Sequence, residues 1–146
     1  MATSDYTMNK GFKLTSKHGV VIRFSYYSDD APVTVKAFHQ LLPFTRTFKH
    51  ARISGEEIWT DEAPPLSIIQ ENASIFTVPG EMLYGPSLPV RTKTYNCIGI
   101  YYGNGKGLDA ANIFACVINE DRELLRTLGN NIWLHGSEEL TFSEIQ

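Results

Sequence analysis

Two adjacent carboxylates, Glu56 and Glu57, follow Arg52 within a stretch, residues 48–60, in which apolar and polar residues alternate. Read as one extended strand, this stretch sends successive side chains to opposite faces of a sheet, so each acid takes a different side. Ala51, Ile53, Glu57 and Trp59 fall on one parity, and His50, Arg52, Ser54 and Glu56 on the other. Glu57 thus shares its face with apolar residues, where a carboxylate is costly unless it is hydrogen-bonded or paired with a cation. Arg52 is the nearest candidate partner in sequence. Two readings stand side by side: Arg52, Glu56 and Glu57 form a structural ion-pair network, or they line a ligand pocket. Glu71 and Glu81 flank the next strand and add further acids. General-base chemistry on Glu56 or Glu71 would require a pKa tuned toward neutrality. The cluster Arg46, Lys49, His50 and Arg52 reads as a solvated basic face.

Other chemistries find little footing. The segment Gly103-Asn-Gly-Lys-Gly107 lacks the second glycine spacing and the Lys-Ser/Thr pair of a Walker loop, and it precedes a strand rather than a helix; a flexible inter-strand loop is the expectation. His18, His39, His50 and His135 are scattered, and no pair sits at i, i+4. His50 and Glu56 would lie about 20 Å apart along an extended strand unless the chain bends at Gly55. No metal site and no cofactor is therefore expected. There is no Gly-x-Ser-x-Gly elbow, and neither Cys97 nor Cys116 has an activating neighbour in sequence.

The elements that must position these groups are short strands. Phe12 and Leu14, a turn at residues 16–19, and residues 20–26 make a hairpin. Residues 28–30 with Pro32 open a helix carrying Val35, Phe38, Leu41 and Leu42, which Pro43 stops. Gly55 inside the following strand marks a bulge or a close backbone approach. Strands are expected at 74–78 and 81–84 around a Pro79-Gly80 turn, then at 97–102 and 112–118. A second helix begins at Asn119-Glu120-Asp121, carries Leu124, Leu125 and Leu128, and ends at Gly129. A last hairpin spans 131–145. No βαβ rhythm runs through the chain, and many short strands with Gly/Pro turns favour a mainly β, closed barrel with two short flanking helices.

The chain has 146 residues, 42% hydrophobic and 20% charged, with a formal charge of -3, as an ordinary globular domain would. One domain over residues 10–146 is expected, after a flexible lead-in at 1–9. The acid excess argues against a nucleic-acid partner. The longest apolar run, Ile113 to Ile118, is far too short to span a bilayer, so no membrane partner is expected either. With no signal-like run near Met1 and two cysteines in apolar segments, the expectation is a cytoplasmic protein with two buried thiols.

Specific strings resemble a family. His50-Ala-Arg-Ile-Ser-Gly-Glu-Glu-Ile-Trp59, Glu71-Asn72-Ala-Ser74 and Pro79-Gly-Glu81 with Tyr84 are similar to those of an uncharacterised bacterial family of cyclophilin-like fold (a domain of unknown function, DUF-3830 type). Ala31-Pro32, Leu42-Pro43, Tyr102-Gly103, Ala111-Asn112-Ile-Phe114 and Ile132-Trp133 with Gly136 follow in the same order, so the resemblance runs from Phe12 to Phe142. It implies a closed eight-stranded barrel with two helices. It also implies that the recurrent polar residues are His50, Arg52, Ser54, Glu56, Glu71, Asn72, Glu81 and Asn112, to which Tyr102 is added as an aromatic wall. The chain departs from that pattern at 89–96, where acids are expected and Arg91 and Lys93 stand, and at 104–109. A pocket lined from those segments would take a different ligand. The Phe-His-Arg and Gln-Gly-Gly-Asp strings of true prolyl isomerases are not matched, so the resemblance does not extend to that activity.

Three functions follow as expectations. The first is a barrel that binds a small polar or carboxylate-bearing metabolite at its mouth, with Arg52 holding the carboxylate and Trp59, Tyr84, Tyr101, Tyr102 and Trp133 as walls. The second is an enzyme of amide or cyclic-amide compounds. The third is an assembly subunit, a homo-oligomer without a small ligand.

Overall fold

Alternation of side chains between core and solvent along the N-terminal hairpin, strict in its second strand, sets the architecture. The computed structural model describes residues 10–145; the lead-in expected at residues 1–9 lies outside them. Strands β1 (Gly11–Thr15) and β2 (Val21–Tyr26) pair antiparallel and send Phe12, Leu14, Ile22, Phe24 and Tyr26 to one side. Helix α1 (Pro32–Leu41) follows, then β3 (Phe44–His50), β4 (Gly55–Thr60), β5 (Ala73–Phe76), β6 (Glu81–Tyr84) and the long β7 (Ile98–Val117). A 3-10 turn at Asn119–Asp121 leads into α2 (Arg122–His135), and β8 (Ser137–Glu144) ends the described chain.

The strands form an eight-stranded sheet, ordered β2-β1-β8-β3-β4-β7, which a β2–β7 pairing closes. β6 pairs with both arms of β7: Met82 faces Ile100 on one side and Ala115 on the other. With the arms counted separately, the wall has eight staves and no open end between β2 and β7. The fold is thus the mainly β, cyclophilin-like closed barrel with two helices that the sequence leads one to expect.

The barrel is filled by rings. Phe38 of α1 packs within 4.9–6.3 Å, centroid to centroid, of Phe12, Tyr26, Phe44, Phe114 and Phe142. Leu125, Leu128 and Ile132 of α2 join the same core. A second, smaller core (Leu83, Tyr101, Ala111 and Ile113) lies on the other face of the sheet. No described helix is long and apolar enough to cross a membrane.

Four local expectations need correction. Residues 48–60 are not one strand but a hairpin, with Lys49 opposite Trp59 and His50 opposite Ile58. Gly55 lets the chain turn by adopting φ 106°, which an L side chain rarely tolerates, and a register shift between Gly55 and Glu57 supplies the bulge. The stretch 103–107 is not a free loop: it continues β7, tied by Gly105 to Gly55 and by Lys106 to Phe76. Gly129 does not end the second helix, which runs to His135. Its bare Cα instead lets α2 lie on the Tyr102 ring, where a methyl group would overlap the ring carbons. The cysteines are both free and half-buried rather than fully buried.

Candidate functional site

The β3–β4 turn, residues 51–54, is a partition between two clefts. The first, about 460 Å³, takes Glu57 and Trp59 from β4, Tyr101 from β7, and Lys93, Leu108 and Asp109 from the segments beyond. It lies on the face of the sheet turned away from the barrel core, over the smaller apolar cluster, and not at the barrel mouth as expected. The second, about 450 Å³ and more open, lies between the turn and α2 and is lined by Glu56, Tyr102, Asn130 and Trp133.

Adjacent acids on β4 serve the two clefts separately. The Glu56 carboxylate lies over Gly103 and accepts the Asn104 N–H at 3.0 Å. Glu57 lies over Gly99, where a methyl group would overlap its Oε2. Both glycines leave room for a carboxylate above the backbone. Ser54 Oγ donates to Glu57 Oε1 at 2.5 Å. Burial is the main influence on Glu57 and raises its pKa above the ordinary carboxyl range, while the Ser54 bond and Tyr101 pull it partly back. Tyr101 is fully buried, and its hydroxyl has no hydrogen-bond partner of normal geometry. Burial also raises the Tyr101 phenol, with the Glu57 charge adding to it.

Cations gather at the rim of the first cleft. Lys49 Nζ lies 3.8 Å from Asp61 and 4.5 Å from the centre of the Trp59 ring. Arg52 is exposed and makes no hydrogen bond or ion pair among the described residues. The expected Arg52–Glu56–Glu57 ion-pair network is thus not formed, because the hairpin turn carries Arg52 to the surface while Glu57 stays beneath it. Asp109 accepts the Lys93 N–H at 3.0 Å and the Ala110 N–H at 2.8 Å, and these bonds hold it below the usual carboxylate range. Burial pushes the Cys97 thiol up to about 11, away from thiolate chemistry.

The other resemblance-derived residues divide between the clefts and the framework. His50 touches both clefts; its Nδ1–H donates to Ala51 O at 2.7 Å, leaving Nε2 to accept the Tyr102 hydroxyl at 2.7 Å. Arg52 and Ser54 line the first cleft, and Arg52, Glu56 and Tyr102 the second. Glu71, Asn72 and Asn112 lie elsewhere, in a network that ties α1 to β7. Glu71 Oε2 accepts from Thr34 N–H at 2.5 Å and Thr34 Oγ1 at 2.7 Å. Asn112 donates to Thr34 Oγ1 and Ile69 O and accepts from Glu71 N–H. Asn72 donates to Ile113 O at 2.7 Å. Glu81 accepts from Tyr27 and from Val78 N–H.

Tyr84, expected as a pocket wall, is in the barrel core, donating to Pro64 O at 2.6 Å. Lys49, Lys93, Leu108 and Asp109 were not legible as site residues, because they converge only once the hairpin and the β7 crossing are formed. Glu57 did leave a signal, an acid on an apolar parity. Among the described residues, no three His, Cys, Asp or Glu side chains converge as a metal site would.

The profile of the family described as protein of unknown function (DUF3830) matches residues 14–144, and the chain belongs to that family. No curated protein matches the sequence. Among solved structures, McbB in complex with tryptophan is similar with a TM-score of 0.73 at 17% identity, over 90% of this chain and 44% of that one. The chain therefore spans less than half the length of McbB. A hypothetical protein from Archaeoglobus fulgidus is similar with a TM-score of 0.64 at 15% identity, covering 95% of this chain and 97% of that one. A cyclophilin-type peptidyl-prolyl cis-trans isomerase from Cryptosporidium parvum, in the presence of the dipeptide Ala-Pro, has a TM-score of 0.53 at 16% identity, over 82% and 85% of the two chains. These likenesses are of fold.

Proposed function

We propose that this member of the DUF3830 family binds a small, carboxylate-bearing molecule with an apolar body in the cleft between the β3–β4 turn and β7. The observation that carries this is the unpartnered Arg52 guanidinium at the rim of an otherwise largely apolar cleft of about 460 Å³. A planar guanidinium grips a carboxylate through two parallel N–H···O bonds, and Arg52 has no internal acid competing for it. Lys49 and Lys93 reinforce the positive rim, whereas Glu57 is buried beneath it and already takes the Ser54 hydroxyl, and Asp109 is already engaged by backbone donors. Trp59, Leu83 and Leu108 supply surface for an apolar or aromatic body.

Both segments in which the chain departs from the family pattern contribute to this wall, Lys93 from one and Leu108 and Asp109 from the other. Ligand selection within the family is then set by these segments. A structural neighbour, McbB, was solved with tryptophan, a molecule that joins a carboxylate to an aromatic ring.

A thermal-shift and calorimetric screen of aryl carboxylates and aromatic amino acids tests the reading. A ligand at a hundred times its dissociation constant adds about 2.7 kcal/mol, a rise of roughly 5–10 °C for a domain of this size. That rise should vanish in Arg52→Ala while the unliganded melting temperature stays put. A hit unaffected by Arg52→Ala, or no hit across the library, would defeat the proposal.

A further inference from the structure

A buried carboxylate without a cation lies on the floor of the same cleft. We infer that Glu57 receives an ammonium group of the ligand, which is then a zwitterion: an amino acid with an apolar side chain, its carboxylate held by Arg52 at the rim. This rests on the carboxylate reading above and deepens it by naming the second charged group.

Two acids line the cleft among the described residues, Glu57 and Asp109. Asp109 is half-exposed, takes the backbone N–H groups of Lys93 and Ala110, and feels the Lys93 charge. Glu57 differs in each respect. It is only 8% exposed, and no cation pairs with it among the described residues. Lys49, on the neighbouring strand, is turned toward Asp61 and the Trp59 ring. The hydroxyls of Ser54 and Tyr101 lean on the Glu57 carboxylate, but both are neutral dipoles. They serve two of its roughly four lone-pair positions and leave its net charge uncompensated. Acids are almost never buried in that state.

The sheet makes room for this group on the cleft side. Gly99 stands between Cys97 and Tyr101, which both line the cleft, and alternation along the chain puts its vacant side-chain position on the same face. Glu57 Oε2 fills that position. The carboxylate thus forms part of the floor, beneath the turn that carries Arg52.

Charge balance points the same way. A simple carboxylate entering this cleft adds a second negative charge to that of Glu57, whereas an ammonium on the same ligand cancels it. Burial works against the Glu57 charge in the empty cleft, and a cation brought by the ligand offsets that cost. An acid on the floor, a guanidinium at the rim and the walls of Trp59, Leu83 and Leu108 match the three parts of an apolar amino acid.

The test uses phenylalanine, 3-phenylpropanoate and 2-phenylethylamine at pH 7; the last two are phenylalanine without its ammonium and without its carboxylate. By titration calorimetry, phenylalanine should bind the wild-type protein at least about tenfold more tightly than either, the yield of one charge-assisted contact. Glu57→Gln keeps an acceptor oxygen for Ser54. It should cut the preference over 3-phenylpropanoate below about threefold while binding 3-phenylpropanoate at least as well as the wild type does. The wild-type comparison needs no variant and stands even if Glu57→Gln does not fold. Equal affinity for phenylalanine and 3-phenylpropanoate, or a preference that survives Glu57→Gln, overturns the ammonium subsite alone. Equal affinity for phenylalanine and 2-phenylethylamine overturns the carboxylate site, and the amino-acid assignment with it. Failure of all three probes to bind overturns both.

Discussion

Glu71→Ala separates framework from site. Glu71 acts as a helix cap delivered from a distant loop: the residue preceding α1 is Ala31, which has no side-chain acceptor, and Glu71 Oε2 takes the Thr34 N–H instead. Loss of an N-terminal cap acceptor costs about 0.5–2 kcal/mol. The Thr34 hydroxyl, on a residue with 0% exposure, also loses its acceptor, while still accepting from Asn112 Nδ2. That adds about 1 kcal/mol. The sum, roughly 1.5–3 kcal/mol, lowers the melting temperature by roughly 3–12 °C. Thermal and urea denaturation followed by circular dichroism measure it directly. Glu71→Gln keeps an acceptor oxygen and should lose less than half as much. The cleft lies elsewhere, so affinity for its ligand should change by less than about twofold. An alanine variant as stable as the wild type, or one that folds normally but no longer binds the cleft ligand, would refute the assignment of Glu71 to the framework.

Three further outcomes are expected. Asp121 accepts from the Arg23 backbone and guanidinium, and that partnership holds its carboxyl below the ordinary value. Its stabilisation is complete above the unfolded value of about 3.9 and is lost as pH falls through the lowered folded value, so wild-type melting temperature should drop more steeply with acid than that of Asp121→Asn. Gly129→Ala should destabilise by about 1–3 kcal/mol despite alanine's better helix propensity, because the new methyl group meets the Tyr102 ring; a more stable variant would contradict this packing. With its thiol pushed up to about 11, Cys97 should be about 0.1% thiolate at pH 8 and alkylate with iodoacetamide far more slowly in the native protein than in urea, as peptide mass spectrometry will show.

The barrel was legible because its information is local: alternation in β1 and β2, the helical spacing ending at Pro43, and the turn at Pro79-Gly80. The β3–β4 hairpin was not, since residues 51–54 carry no Asn-Gly or Pro signature and the alternation continues straight through them. The mistaken single strand set Arg52 beside Glu56 and concealed the turn that forms the cleft wall. Gly129 misled for another reason: a glycine that permits close packing looks in sequence like a glycine that ends a helix. Cleft and framework residues were equally indistinct, because Glu71 and Arg52 are both polar residues in polar neighbourhoods, and only tertiary pairing shows that one is spent and the other free.

The course of β7 has an evolutionary consequence. Its two arms seal the barrel on either side of β6, and the stretch joining them, which forms part of the cleft wall, is itself pinned at Gly105 and Lys106. Lengthening or shortening that stretch would shift the register of one arm against the other and break the ring. The usual route by which new ligands are acquired, insertion into a surface loop, is closed at this wall. Diversification must proceed by exchange of side chains at fixed length, as at Leu108 and Asp109, so relatives with different ligands should share the spacing of this segment and differ in its residues.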